Sequence, residues 1–202
     1  MTKILVWDIP TRVGHWLLVT AFMVSFLSGD SEEWRLIHVT AGYAMAGALA
    51  FRLFWGIAGT RYARFKSFMF SPRQLIDYLL SLLKGKPEHW VGHNPAGSYA
   101  IYVLLFLGMI VVVSGWAAYA GAGGEWLVET HDVLPKVMLG VVGLHVLGVI
   151  VSSRLHSENL VLSMVTGLKQ GAKIHAIASS KKYWSILLLG SVVSAGLMSL
   201  LR

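Results

Sequence analysis

Apolar residues in this chain run in long blocks, and the polar residues gather between them. Five blocks stand out: Val13–Gly29, Leu36–Ala58, Ala96–Gly124, Val137–Ser153 and Tyr183–Leu201. Four carry no charge, and the second is interrupted only by Arg52. A helix of about 20 mainly apolar residues crosses a bilayer, with about 17–25 tolerated. The pattern therefore predicts spanning helices over about 13–29, 36–58, 96–120 and 131–153, with a fifth over 183–201. The first is the shortest and borrows a turn from Thr11–Gly14. It is expected to be a retained helix rather than a cleaved leader, because Phe26 and Leu27 stand where a cleavage site needs small residues.

Two shorter stretches read as interfacial. Ser71–Gly85 opens on a capping serine with Pro72 in the first turn and stops at a glycine. Its leucines and Ile76 gather on one side, as in a helix lying on a membrane surface or packed under a bundle. Leu160–Leu168 reads similarly. The expected organisation is a transmembrane domain over 1–168, followed by a cytoplasmic linker and an extra C-terminal helix over 169–202. The fold class is all-α: a polytopic four-helix bundle plus a fifth helix.

Composition agrees with this reading. Hydrophobic residues make up 55% of the chain and charged residues 13%, with a mean hydropathy of +0.63. A soluble domain carries about 25% charge, so an ordinary water-soluble enzyme is excluded. The net charge of +7 lies between apolar runs, which points to a membrane rather than nucleic acid as partner. There is no cysteine, which removes disulfides, thiolate metal sites, iron–sulfur clusters and covalent haem.

The charges also predict orientation. With the N-terminus in the cytoplasm and the helices alternating, the inner face holds Lys3, Arg12, the Arg52–Lys86 group, Arg154 and Lys169 to Lys182. That is 14 basic residues against the four acidic residues Asp8, Asp77, Glu88 and Glu158. The outer face holds Arg35, Lys136 and Arg202 against Asp30, Glu32, Glu33, Glu125, Glu129 and Asp132. The positive-inside rule favours this arrangement.

Ionisable side chains inside a bundle are costly and mark function. His15 and His38 start the first two helices, His131 starts the fourth, and His145 lies within it. Singly, the first three are open to a bland reading as interfacial residues. Topology turns the four into a pattern. His38 and His131 fall near the outer surface, and His15 and His145 near the inner. His145 follows His131 by 14 residues, about 21 Å along a helix and nearly four turns, so both project from one face. Two imidazole pairs stacked across a bilayer suit two bis-histidine haems. They suit zinc poorly, because no further ligand completes a tetrahedron.

Other polar residues keep more than one reading. Arg52, 14 residues after His38, is placed to meet a propionate or a quinone oxygen, or to snorkel to the headgroups. Arg12 and Arg35, each three residues before a histidine, are further propionate candidates. His156 is open to a propionate contact, a proton-handling role toward quinol, or a plain interfacial position. Gly42 and Gly148 would let a flat macrocycle approach the backbone, and helix packing explains them equally well. His93 reads as a helix-start residue, and His89 and His175 as solvated.

The motifs Trp7-Asp8-x-Pro10-x-Arg12-x-x-His15-Trp16, Ile37-His38-Val39-x-x-Gly42, Thr130-His131-Asp132 and Gly143-Leu144-His145 resemble the prokaryotic di-haem cytochrome b family. That family includes the cytochrome b subunit of nickel–iron hydrogenases, bacterial cytochrome b561 and the quinone-linked superoxide oxidase. The resemblance covers about residues 5–168. It implies four helices around two non-covalent b haems, electron exchange with a quinone pool, and His15, His38, His131 and His145 as ligands. The fifth helix lies outside the common core.

The expected function is electron transfer between the quinone pool and a periplasmic partner, a c-type cytochrome or a hydrogenase. The chain is an enzyme only if it oxidises quinol or superoxide itself. A superoxide oxidase needs a cationic outer funnel, and the outer loops are net acidic. A non-haem transporter or scaffold is the other rival. Asp30, Glu32, Glu33, Glu125, Glu129 and Asp132 form an expected docking surface beside the outer haem, or else a solvated acidic loop.

Overall fold

A computed structural model describes residues 2–85 and 88–199. Lys86 of the inner basic group, and Leu201 and Arg202 at the end of the fifth apolar block, lie outside the described residues. The long helices are α1 (Ile9–Ser28), α2 (Arg35–Ala58), α4 (Pro95–Tyr119) and α5 (Glu125–Leu155). Shorter ones are α3 (Pro72–Leu83), α6 (Leu160–Thr166) and α7 (Trp184–Met198), and the strands are β1 (Thr2–Leu5) and β2 (Leu168–Gly171).

Among the described residues, three helical segments are long and apolar enough to cross a membrane: Glu32–Ala58, Pro95–Tyr119 and Glu125–Leu155. The other two expected spans fall outside that set. Helix α1 has 20 residues but carries Arg12 and His15 in its first two turns, and α7 has 15 residues. Helix α5 starts at Glu125 rather than near residue 131. Glu125 and Glu129 therefore lie on its first turns, a correction to their expected place in a loop. An acidic first turn favours this earlier start, since it faces the positive end of the helix dipole.

Helix α3 falls where the periodicity put it. Ser71 accepts from the Gln74 N–H and Gln74 from the Ser71 N–H, a complete capping box. Gly85 takes φ +65° just past its end, a conformation that costs glycine little. Tyr78 is buried, while Ile76, Leu79, Leu80 and Leu83 are exposed. That is the face a membrane-surface helix gives to lipid.

The chain divides into two compact units. One comprises Met1–Arg12, Phe54–Val103 and Val141–Lys182. In it β1 and β2 pair antiparallel, with Thr2 opposite Gly171 and Leu5 opposite Leu168. This pairing straddles the expected boundary at residue 168. Ile4, Val6, Trp7 and Tyr62 form its core, with Val91, Met164 and Ile177 packed against it. The His93 ring lies between Trp7 and Phe68, with centroids 4.6 and 4.5 Å away.

Asp8 is fully buried in the same unit. Its Oδ1 accepts from the Thr11 N–H at 2.8 Å, capping α1, and its Oδ2 accepts from the Thr60 hydroxyl at 2.5 Å. The Trp55 indole N–H reaches both oxygens, at 3.2 and 3.1 Å. The carboxylate thus ties the start of α1 to the end of α2 and the turn after it.

The other unit comprises Val13–Leu53, Leu104–Gly140 and Tyr183–Arg202. Here α7 lies tight on α2 at Gly47, where an added Cβ would stand 2.5 Å from the Ser191 carbonyl oxygen. The Ser191 hydroxyl donates to the Gly47 carbonyl at 3.2 Å, and Thr40 and Ser199 hydroxyls meet at 2.8 Å. A small residue at the crossing and hydroxyls across it are the usual means of joining helices in lipid. The extra C-terminal helix is therefore packed against the helix that carries His38.

Asp8→Ala removes the carboxylate that accepts from three donors, two of them on the buried residues Thr11 and Trp55, and a buried hydrogen bond lost in this way costs about 1–3 kcal/mol. We expect a thermal unfolding midpoint in detergent lowered by at least several degrees, with Asp8→Asn closer to wild type. A midpoint within one degree of wild type for Asp8→Ala would contradict the role given to this carboxylate.

Candidate functional site

The second unit brings together two of the four expected histidines. His38, in the first turns of α2, and His131, in the second turn of α5, have ring centroids 5.9 Å apart at 79°. Each is half-buried. They line a cavity of about 430 Å³ whose walls include Phe22, Phe26, Val39, Tyr43, Val112 and Val128.

Each ring is held in the same way from a neighbouring helix. His38 Nδ1 lies 2.8 Å from the carbonyl oxygen of Ser25 and 3.4 Å from its hydroxyl. His131 Nδ1 lies 3.0 Å from the carbonyl oxygen of Val111 and 3.3 Å from the Ser114 hydroxyl. A carbonyl can only accept, so each Nδ1 carries the proton. Each Nε2 is then the unprotonated nitrogen and keeps its lone pair. Ser25 lies in the last turn of α1, where carbonyls have no partner within the helix. In α4 the opening is made by Gly115: a Cβ there would stand 2.5 Å from His131 Cε1.

Ser25, Ser114 and Gly115 were missed in the sequence. The signal available was the Ser114-Gly115 step, a polar and small break in the long uncharged block of α4. Tyr43 was missed as well. Its hydroxyl is buried and has no hydrogen-bond partner among the described residues. Gly42 has only the Ser25 hydroxyl within 4 Å of an added Cβ, at 4.0 Å, and Gly148 has nothing within that distance.

The remaining expected residues sit on several elements. His15 is half-buried in the second turn of α1, edge-on to Trp16 at 5.2 Å. His145 is half-buried on α5. These two belong to different compact units. Arg12 donates from Nη1 to the Val165 carbonyl. Arg35 is exposed, 4.0 Å from Glu32 and stacked over Tyr119 at 5.9 Å. Arg52 is half-buried in α2. Asp30, Glu32, Glu33, Glu125, Glu129 and Asp132 are all exposed, and Asp132 pairs with Lys136 at 2.9 Å.

His156 lies just past α5, its ring 5.6 Å from that of His89. Burial holds its pKa below the ordinary range, and His89 and Lys169 push the same way while Glu158 opposes them. Among the described residues no three His, Asp or Glu side chains converge to hold a metal ion.

The model of the family described as prokaryotic cytochrome b561 matches residues 6–167. A probable Ni/Fe-hydrogenase B-type cytochrome subunit of Rhodobacter capsulatus is 28% identical over 151 residues, covering 61% of this chain and 58% of that one. A probable Ni/Fe-hydrogenase 1 B-type cytochrome subunit of Escherichia coli K12 is 27% identical over 141 residues, covering 57% and 60%. A third such subunit, of Cupriavidus necator, is 26% identical over 212 residues, covering 81% and 86%. The chain thus spans 58% and 60% of the length of the first two relatives. No solved structure matches. With residues 6–167 matched, the chain belongs to the prokaryotic cytochrome b561 family of haem-containing electron-transport proteins.

Proposed function

We propose that this chain is a di-haem cytochrome b that carries electrons across the bacterial inner membrane between the quinone pool and a nickel–iron hydrogenase at the periplasmic face. The N-terminus is cytoplasmic, and four helices with a fifth at the C-terminus span the bilayer. His38 and His131 hold the outer haem; His15 and His145 hold the inner one. The observation that carries the reading is the His38–His131 pair. The two rings line one cavity, and each is locked by an Nδ1–H bond to a backbone carbonyl, the outer partner that ligating histidines ordinarily have. The Tyr43 hydroxyl would serve a polar edge of the bound group, and Arg35 or Lys136 its propionates.

The haem supplies a one-electron couple, with axial ligands and burial setting its potential. The chain's own work is to occupy both axial positions, exclude water with aromatic and aliphatic walls, and fix the imidazole tautomers. Quinone is placed at the inner end, beside Arg52 or His156. Hydrogenase as partner rests on the names of the relatives. A cationic c-type cytochrome is the second reading, favoured by the exposed Asp30, Glu33, Glu125 and Glu129.

Purified protein should contain two haems per chain, and each single ligand variant one. His38→Ala and His131→Ala should remove the same spectral component, and His15→Ala and His145→Ala the other. Gly115→Ala should perturb only the component lost in His131→Ala, because its Cβ meets that ring. Loss of one common component in His15→Ala and His38→Ala would overturn the pairing.

Electron transfer to a cationic partner should slow as salt rises, since exposed charges are screened beyond about 8 Å at physiological ionic strength. Neutralising Glu32, Glu33, Glu125 and Glu129 together should slow it and flatten the salt dependence. A wild-type rate constant indifferent to ionic strength would remove the second reading.

A further inference from the structure

The first unit holds four ionisable side chains that the electron path does not use: His89, His156, Glu158 and Lys169. Glu158 and Lys169 are buried, at 9% and 6% exposure. Glu158 Oε1 accepts from the Gln170 N–H at 2.6 Å, and its Oε2 lies 3.5 Å from Lys169 Nζ. Lys169 also donates to the Trp90 carbonyl at 3.2 Å. The two charges are thus matched to each other and fixed by backbone on both sides.

Beside this ion pair stand the two imidazoles, in ring contact at 5.6 Å. His89 Nε2 is 4.0 Å from Glu158 Oε2. His156 is half-buried and His89 is exposed, so the pair forms a step from a sheltered position to water. Packing alone does not call for two titratable rings next to a buried lysine, because a proton on either is opposed by that charge. Clustered perturbed groups of this kind are more typical of a working site.

We propose that His156 and His89 form a two-station proton path serving quinone chemistry at this end of the protein, an inference that rests on the quinone site read beside His156. Oxidation of a quinol releases two electrons and two protons to give the quinone. The electrons leave one at a time through the cytochrome, and each proton passes from the quinol hydroxyl to the neutral His156 ring. It then moves to His89, whose Nε2 lies 4.0 Å from the Glu158 carboxylate, and from there to water. Reduction of a quinone runs the same path inward. Burial, His89 and Lys169 hold His156 below the ordinary histidine value of about 6.5, so it is the neutral acceptor at pH 7. His89, Lys169 and Glu158 are the charged and titratable groups that face it.

The test is the stopped-flow rate of haem reduction by a short-chain quinol in the purified holoprotein between pH 5 and 8.5. The wild-type rate should rise with pH through a group titrating below about 6.5. His156→Gln should abolish that rise and slow reduction at pH 7 by about a hundredfold, the scale of a lost general base. His89→Gln should slow it too, with recovery on adding free imidazole, because that station is open to water. Dithionite-reduced spectra should be unchanged in both variants. In parallel, a photoreactive azidoquinone should label residues around 152–160. Labelling there with wild-type rates and pH profile in both variants overturns the proton path while leaving the quinone site. Labelling elsewhere overturns the quinone site and the path with it.

Discussion

A polar group set among apolar helices has to be matched by another group of the protein, since lipid offers no hydrogen bonds. The buried Asp8 carboxylate is met by a backbone N–H, an indole and a hydroxyl. His38 and His131 direct Nδ1 at carbonyls on the adjoining helices. Even the C-terminal helix is joined to α2 through the Ser191 hydroxyl and the Gly47 carbonyl. Each match fixes a local geometry, and together these matches fix where the functional side chains lie.

For the His38–His131 pair the consequence is chemical. An imidazole with Nδ1–H committed to a carbonyl has its tautomer chosen and its ring rotation stopped. What remains is one nitrogen lone pair per ring, with both rings on the wall of one cavity. On the proposed reading both axial positions of the bound haem would be filled, which suits electron transfer better than oxygen chemistry. The two units divide the labour of the proposed function. One holds the paired histidines in apolar walls; the other gathers ionisable residues around Glu158 and Lys169, which suits protons rather than electrons.

Much of this was legible in the chain because its signals are local and periodic. The apolar blocks marked the long helices to within a few residues at most ends. Ser71, Pro72 and Gly85 bounded α3 because capping and glycine termination act over one turn. The 14-residue interval between His131 and His145 placed both on one face of one helix by helical geometry alone. Where the reading slipped, a tertiary or terminal effect intervened. Helix α5 begins six residues early, so Glu125 and Glu129, expected in a loop, lie on a helix. Strands β1 and β2 are four residues each and more than 160 apart in sequence, too short for alternation to reveal and too distant for any local rule to join.

What the sequence by itself determined was the class of molecule: apolar helices, a segregation of basic and acidic charge between them, no cysteine chemistry, and histidines as the available ligands. It could do so because composition and period act through solvent transfer and helix geometry, which need no partner. The tertiary structure alone decided which carbonyl locks which imidazole and that Gly115 makes room for the His131 ring. It also decided that Asp8 is a buried anchor rather than an inner-face charge, and that His89, read as solvated, stands against His156 and Glu158. These depend on atoms from helices far apart in the chain meeting within about 3 Å, the range over which a hydrogen bond has any strength.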